Sequence, residues 1–231
     1  MTATRALPLL ILRGEPGASV TAARAEALGL TARKIPLFAV EPVAWDVPDA
    51  RDFDRLLLTS ANAVRHAGAG LAALRGLPCW CVGAVTAAAA RGAGLTVERV
   101  GTSDAASLLA DAPASLRLLW LTDEQHDEKS LTFDVRDSIL CVYRTRALAI
   151  DPGALNRPAV ALVHSARAAQ RLAEIGQVKG QVALVAISPA VAAAAGSGWR
   201  EVRWSDTPDD TEMLAIAAKL CHDAPGQSQG N

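Results

Sequence analysis

The chain has almost no net charge, four cysteines, one tyrosine and no long apolar run. Its 23 Lys+Arg are offset by 24 Asp+Glu over 231 residues, for a formal net charge of -1. That balance, with no basic block, argues against a nucleic-acid partner, and any anionic ligand must be met by local donors. No apolar stretch approaches the roughly 18 residues that suggest a membrane span. The run ALPLLIL after Arg5 leads directly into Arg13, Gly14 and Glu15 without a small-residue cleavage site, so a first buried strand is expected there rather than a signal segment.

Four cysteines do not make a disulfide scaffold in a chain of this size. Cys79 and Cys81 lie two apart on a strand pattern and share a face, Cys141 lies on another strand, and Cys221 closes the last helical pattern. Without a histidine cluster these read as buried free thiols, as expected of a protein in the reducing cytoplasm. The chain has no phosphate-binding P-loop, no dinucleotide glycine fingerprint and no G-x-S-x-G elbow. His126 lies among Asp123, Glu124, Asp127 and Glu128, but acidic residues without ordered spacing read as a solvated loop rather than a metal site. His164 precedes Ser165 at a strand end, where neighbouring side chains point to opposite faces, so it reads as a packing histidine and not as a base for that serine. No metal and no organic cofactor are expected.

What the sequence does contain is a strand, turn and helix unit that occurs twice. In both copies an apolar run ends in serine and alanine, Ser60-Ala61 and Ser165-Ala166, and four alanines begin 27 residues after each serine, at Ala87 and Ala192. Runs of about five β-branched and leucine-rich residues alternate with segments of helical period, the pattern of a mostly parallel sheet flanked by helices. The pattern predicts strands near 8–13, 55–59, 79–83, 95–100, 117–122, 138–148, 159–164, 181–187 and 199–204. Helices are predicted near 18–28, 61–74, 84–92, 103–111, 166–175, 189–195 and 209–222, with Asp104 among the capping residues, and the segment 223–231 reads as a disordered tail.

The predicted class is therefore α/β with two similar domains. Extended segments at 32–38 and 140–146 flank the first copy of the repeat, which gives a discontinuous domain (1–36 plus 147–231) and an inserted one (37–146). They are joined by a two-stranded linker that acts as a hinge, with a cleft between them. Ligands of such sheets bind beyond the carboxyl ends of the strands, where Ser60, Thr86 and Ser165 fall. A monomer is expected.

Several segments taken in order resemble the uroporphyrinogen-III synthase family: LILRGEP, LLTSANAV, WCVGAVTAAAA with its VG-x-x-TA, GTSDAASLLA, the extended VYRT, VALVHSARAAQRL and AISPAVAAAA. The resemblance covers nearly the whole chain. It implies a cofactor-independent enzyme of tetrapyrrole (heme) biosynthesis, a lyase that cyclises linear hydroxymethylbilane to uroporphyrinogen III with loss of water and inversion of ring D. The implied route forms an azafulvene and then a spiro-pyrrolenine, and without an enzyme the bilane closes to the uninverted isomer.

A substrate that closes unaided needs conformational control more than a strong acid, and its eight carboxylates need donors. Helix starts at Ser60-Ala61-Asn62, Gly83 and Ser165-Ala166 offer backbone N–H groups. Arg13, Arg65, Arg144 and Arg167 offer forked contacts, with solvated helix faces the alternative for Arg65 and Arg167. By the resemblance Tyr143, the single tyrosine, donates a hydrogen bond to the departing hydroxyl; its alternative is a strand aromatic covering the hinge. Thr86 matches the family's threonine after VG, or is an ordinary helix N-cap. The second copy departs from the family's glycine, proline and threonine, reading Ile187-Ser188-Pro189-Ala190-Val191, where Ser188 partly substitutes for the missing hydroxyl. The segment 122–137 departs as well. These departures leave a second reading open, a noncatalytic tetrapyrrole- or anion-binding module of the same fold.

Overall fold

The computed structural model describes residues 6–125, 139–155, 157–175 and 179–222. The tail 223–231 and most of the departing segment 122–137 lie outside the described residues. The first half of the chain runs β1 (Leu9–Ile11), α1 (Gly17–Ala27), β2 (Ala32–Lys34), β3 (Phe38–Pro42), β4 (Arg55–Leu58), α2 (Ala61–His66), β5 (Cys79–Val82), α3 (Ala84–Gly92), β6 (Val97–Gly101) and α4 (Ala105–Leu109). The second half runs β7 (Leu118–Asp123), β8 (Ile139–Ala147), β9 (Ala159–Val163), α5 (Ala166–Glu174), β10 (Val182–Ala186), α6 (Pro189–Ala194), β11 (Glu201–Trp204) and α7 (Asp210–His222).

These elements form two compact units, the first comprising residues up to 39 and from 147, the second residues 40–146. Unit 1 holds a five-stranded parallel sheet in the order β11-β10-β9-β1-β2. Its central strands are apolar at every position: AVALV in β9 and VALVA in β10 are buried throughout. That is the signature of a sheet covered on both faces, because a half-solvated strand would alternate. Alternate residues feed different cores. Leu10, Ala161, Val163 and Leu184 join α5 and α6 on one face, while Leu9, Ile11, Val160 and Leu162 join α1 and α7 on the other.

Unit 2 holds a six-stranded sheet in the order β3-β8-β7-β4-β5-β6, in which β4 to β8 are mutually parallel. Leu56, Leu58, Cys79, Cys81, Leu119 and Leu121 face one core with α2 and α3, and Leu57, Trp80, Leu118 and Trp120 face the other with α4. Both units follow one strand cycle. In unit 2 the chain passes β4, β5 and β6 to one edge and then returns to β7 beside β4; unit 1 runs the same cycle but enters it at β1, which lies beside β9 as β7 lies beside β4. Each sheet thus has a point where successive connections diverge, between β1 and β9 in unit 1 and between β4 and β7 in unit 2. Ligands in open α/β sheets bind at the carboxyl ends beside that point.

The structure corrects some element boundaries. The helix expected over 61–74 stops at His66 and continues as a 3-10 turn over Gly68–Leu74. Trp45 Nε1 donates to the Ala67 carbonyl at 2.9 Å, and a Cβ on Gly70 would meet Val47 Cγ2 at 2.6 Å, so contacts with the 45–47 segment set this break. Of the four thiols, Cys79, Cys81 and Cys221 are buried as expected, whereas Cys141 is only half-buried on β8. Cys79 and Cys81 do share a face, with their sulfurs 3.5 Å apart.

Candidate functional site

In unit 2 the groups at the divergence point come from three strands. Ser60 follows β4 and caps α2, its Oγ accepting from the Asn62 N–H at 3.1 Å. Tyr143 lies on β8 in register with Asp123 at the end of β7, and its side chain is buried, 6% exposed. The Ser60 hydroxyl lies beside its phenol. Burial pushes the Tyr143 pKa above its ordinary value of 10; the Ser60 hydroxyl draws it down and the Asp123 carboxylate raises it further. The phenol is therefore a neutral donor at physiological pH. The His66 ring lies beside it, centroids 6.3 Å apart, and burial and Arg65 lower the His66 pKa.

The helix starts differ between the two copies for a reason visible in the sequence. Gly83 precedes α3 with φ 81 and no side-chain cap, a left-handed conformation that glycine adopts without a Cβ penalty. Among the described residues the N–H groups of Ala84, Val85 and Thr86 consequently have no acceptor. In the second copy Ser188 stands at that position. Its Oγ accepts from the Val191 N–H at 3.3 Å, and Pro189 has no N–H to offer. The departure at 187–191 thus removes more than the hydroxyl of a threonine: α3 opens on unpaired donors, and α6 opens largely satisfied.

Thr86 itself is not the N-cap considered above. It is the third residue of α3 and 5% exposed, one turn inside the cap. Ala61 is likewise buried, so its contribution to the turn is limited to its backbone. Arg65 is exposed and donates to Asn62 Oδ1 at 3.3 Å. Arg144 and Arg146 both engage Glu41, Arg144 Nε at 3.2 Å and Arg146 Nη2 at 2.7 Å, which makes Arg144 part of a surface charge triad.

In unit 1, Ser165 follows β9 and caps α5, its Oγ accepting from the Ala168 N–H at 3.2 Å. Arg167, on the first turn of α5, places its guanidinium 4.6 Å over the Phe38 ring. Arg13 follows β1 at the divergence point, with its side chain 39% exposed. His164 is buried there, as a packing residue should be, but it also makes a polar contact that the sequence did not suggest: Nε2 lies 2.9 Å from Asp210 Oδ1, on the first turn of α7. Ser165 is not its partner.

Residues 19–127, a little under half of the chain, match the family model for uroporphyrinogen-III synthase HemD. Over that span the chain is similar to the uroporphyrinogen-III synthase family. No curated protein sequence matches it significantly. The fold is similar to that of the uroporphyrinogen-III synthetase of Helicobacter pylori 26695, at 13% identity and TM-score 0.66, with 93% of this chain and 99% of that one covered. It is also similar to a mutant uroporphyrinogen III synthase of Thermus thermophilus, at 20% identity and TM-score 0.55, with 92% and 98% covered. At under 25% identity, these likenesses to solved structures show a shared fold.

Two carboxylates stand out that sequence reading set aside or passed over. Asp123 is not part of a solvated acidic loop. It ends β7, half-buried, where Oδ2 accepts from Thr145 Oγ1 at 2.6 Å and Oδ1 from the Gln125 N–H at 2.7 Å. Asp210 accepts from Thr21, Arg24 and His164 at once. An aspartate at a strand end, or opening a helix after a polar turn, is the only signal available for either, and it is also the signal of an ordinary cap. Among the described residues no three His, Cys, Asp or Glu side chains are grouped as a metal site would need, and no helix is long and apolar enough to cross a membrane.

Proposed function

We propose that this protein is a uroporphyrinogen-III synthase that closes hydroxymethylbilane to uroporphyrinogen III, with loss of the terminal hydroxyl and inversion of ring D, and without a cofactor. The observation that supports this most directly is the setting of the single tyrosine. Tyr143 is buried and kept neutral beside Ser60 at the divergence point of unit 2. Held neutral at that place, the phenol O–H is the group that would donate to a departing hydroxyl. The unpaired N–H groups at the start of α3 suit a substrate carboxylate, where the helix dipole adds to the hydrogen bonds. Ser165, Ala166 and Ser188 are assigned to the same substrate, with Arg13 and Arg167 as charge partners. Binding energy from several carboxylates then holds ring D in the geometry that inverts it, which is the one thing the uncatalysed reaction lacks.

The deciding experiment gives the purified protein hydroxymethylbilane and separates the product isomers by chromatography. Isomer III in excess over the uninverted isomer is expected. Only the uninverted isomer, at the rate of the free bilane, overturns the reading and leaves the noncatalytic binding module, which the loss at Val191 favours.

A further inference from the structure

At the divergence point of unit 1 one guanidinium is placed but not engaged. Arg13 lies against Gly17: a Cβ on that glycine would overlap Arg13 Nε and stand 2.5 Å from Cζ. The absence of a side chain at the first position of α1 is what admits the guanidinium. Arg13 Nη1 is 3.9 Å from Asp210 Oδ1, close enough to attract and too far to hydrogen-bond. Among the described residues Arg13 makes no hydrogen bond.

Asp210 does not need Arg13 to satisfy it. Its carboxylate accepts from Thr21 Oγ1 at 3.0 and 3.1 Å, from Arg24 Nη1 at 3.3 Å, and meets His164 Nε2 at 2.9 Å. Burial lowers the His164 pKa more than the Asp210 contact raises it, and Nδ1 is buried without a hydrogen-bond partner. The imidazole is thus neutral, with Nε2–H donating to Asp210. Two guanidiniums then stand around one carboxylate and leave one positive charge, and the guanidinium with idle donors is Arg13.

We propose that Arg13, seated on Gly17 and aligned by Asp210, is a carboxylate-binding subsite at the carboxyl end of β1, and that Gly17, Asp210, His164 and Thr21 are its positioning residues. This rests on the proposed function for the identity of the ligand, one of the substrate's carboxylates. Asp210 fixes the direction of the guanidinium from one side, and Gly17 provides the surface on which it lies flat. The exposed edge, with its forked N–H donors, faces the incoming anion.

The test is Gly17→Ala, which changes no charge, removes no hydrogen bond and favours the helix, yet displaces Arg13. Its readouts are KM and kcat with hydroxymethylbilane, the melting temperature, and equilibrium binding of uroporphyrin III, a stable molecule with eight carboxylates. The expected result is a KM and a uroporphyrin dissociation constant each raised about tenfold, as loss of one charged hydrogen bond implies, with kcat, isomer ratio and melting temperature unchanged. Arg13→Ala should show the same split and flatten the salt dependence of uroporphyrin binding. If Gly17→Ala binds uroporphyrin like the parent, the subsite is refuted even where isomer III is made. If the parent makes no isomer III but Gly17→Ala still weakens uroporphyrin binding, the subsite stands and the synthase reading fails.

Discussion

Tyr143 carries the clearest consequence at the scale of single residues. Burial keeps its phenol neutral, so Tyr143→Phe removes a donor while leaving the ring in place. Positioned general acids contribute about a hundredfold to ten-thousandfold, and turnover should fall within that range while isomer III remains the product. Single-turnover kinetics with isomer separation measures this, and a variant running at the parent rate would reduce the tyrosine to a strand aromatic. Thr86→Val should be milder, since the buried side chain is nearly isosteric and the three unpaired N–H groups of α3 persist. A second residue-level expectation concerns pH. The folded pKa of His164 lies below its ordinary 6.5, chiefly through burial, so the unfolded chain binds the extra proton first as the pH falls. The stability this neutral histidine provides is complete above about pH 6.5 and is lost as the pH drops through its folded value. Melting temperatures between pH 7.5 and 5 should therefore fall, and His164→Gln, which keeps a donor toward Asp210, should flatten the decline. His66, lowered in the same direction, accounts for a residual slope. Which of these roles the sequence disclosed follows from their physical origin. Tyr143 was singled out by the resemblance of its VYRT segment, and its role is a proposal; Asp210 and Gly17 were not singled out, because their partners lie on α1, β1 and β9, and no spacing rule links residues 13, 17, 164 and 210.

The helix starts are where local chemistry and function meet at the scale of elements. Ser188 takes the donor that its counterpart Gly83 leaves open, so Ser188→Ala should destabilise the protein by about 1 kcal/mol, the usual worth of an N-cap, and raise KM through the assigned substrate contact while leaving kcat little changed. Denaturant unfolding with steady-state kinetics on the same variant tests both halves. Gly83→Ala has the opposite profile: its positive φ makes any Cβ strained, and the start of α3 is where donors are unpaired, so activity should fall along with stability. Strands and helices were largely legible because their apolar patterns are uninterrupted: AVALV and VALVA can only be strands covered on both faces, and β9 and β10 are buried throughout. The end of α2 was not legible. The apolar spacing of 61–74 continues through Gly68, and only the Trp45 hydrogen bond to Ala67, from a residue well upstream, shows why the regular helix stops.

For the whole molecule, the repeat seen in sequence covers only part of what the two units share. The copies beginning at β4 and β9 are matched in residues, whereas β7 and β1 are matched by their place in the sheet alone, because entering the strand cycle at β1 puts that strand at the opposite end of the chain from its partners. Topology therefore had to supply what periodicity could not. Since no ordered ligand set stands among the described residues, synthase activity should survive exhaustive chelation; loss restored by one metal would refute this. The division into units yields the last expectation. Unit 2 is continuous in sequence and carries its own two cores, built from Leu56, Leu58, Leu119 and Leu121 on one face and Leu57, Leu118 and Trp120 on the other. A fragment spanning 38–147 contains every strand of the six-stranded sheet, so it should fold alone with a single cooperative transition in urea. It retains Ser60, Thr86 and Tyr143 but lacks Arg13, Ser165 and Arg167. If binding to several carboxylates is what inverts ring D, this fragment should leave hydroxymethylbilane to close to the uninverted isomer despite an intact tyrosine setting. Isomer III from the folded fragment would place the whole of the chemistry in unit 2 and remove the assigned role of the unit 1 residues.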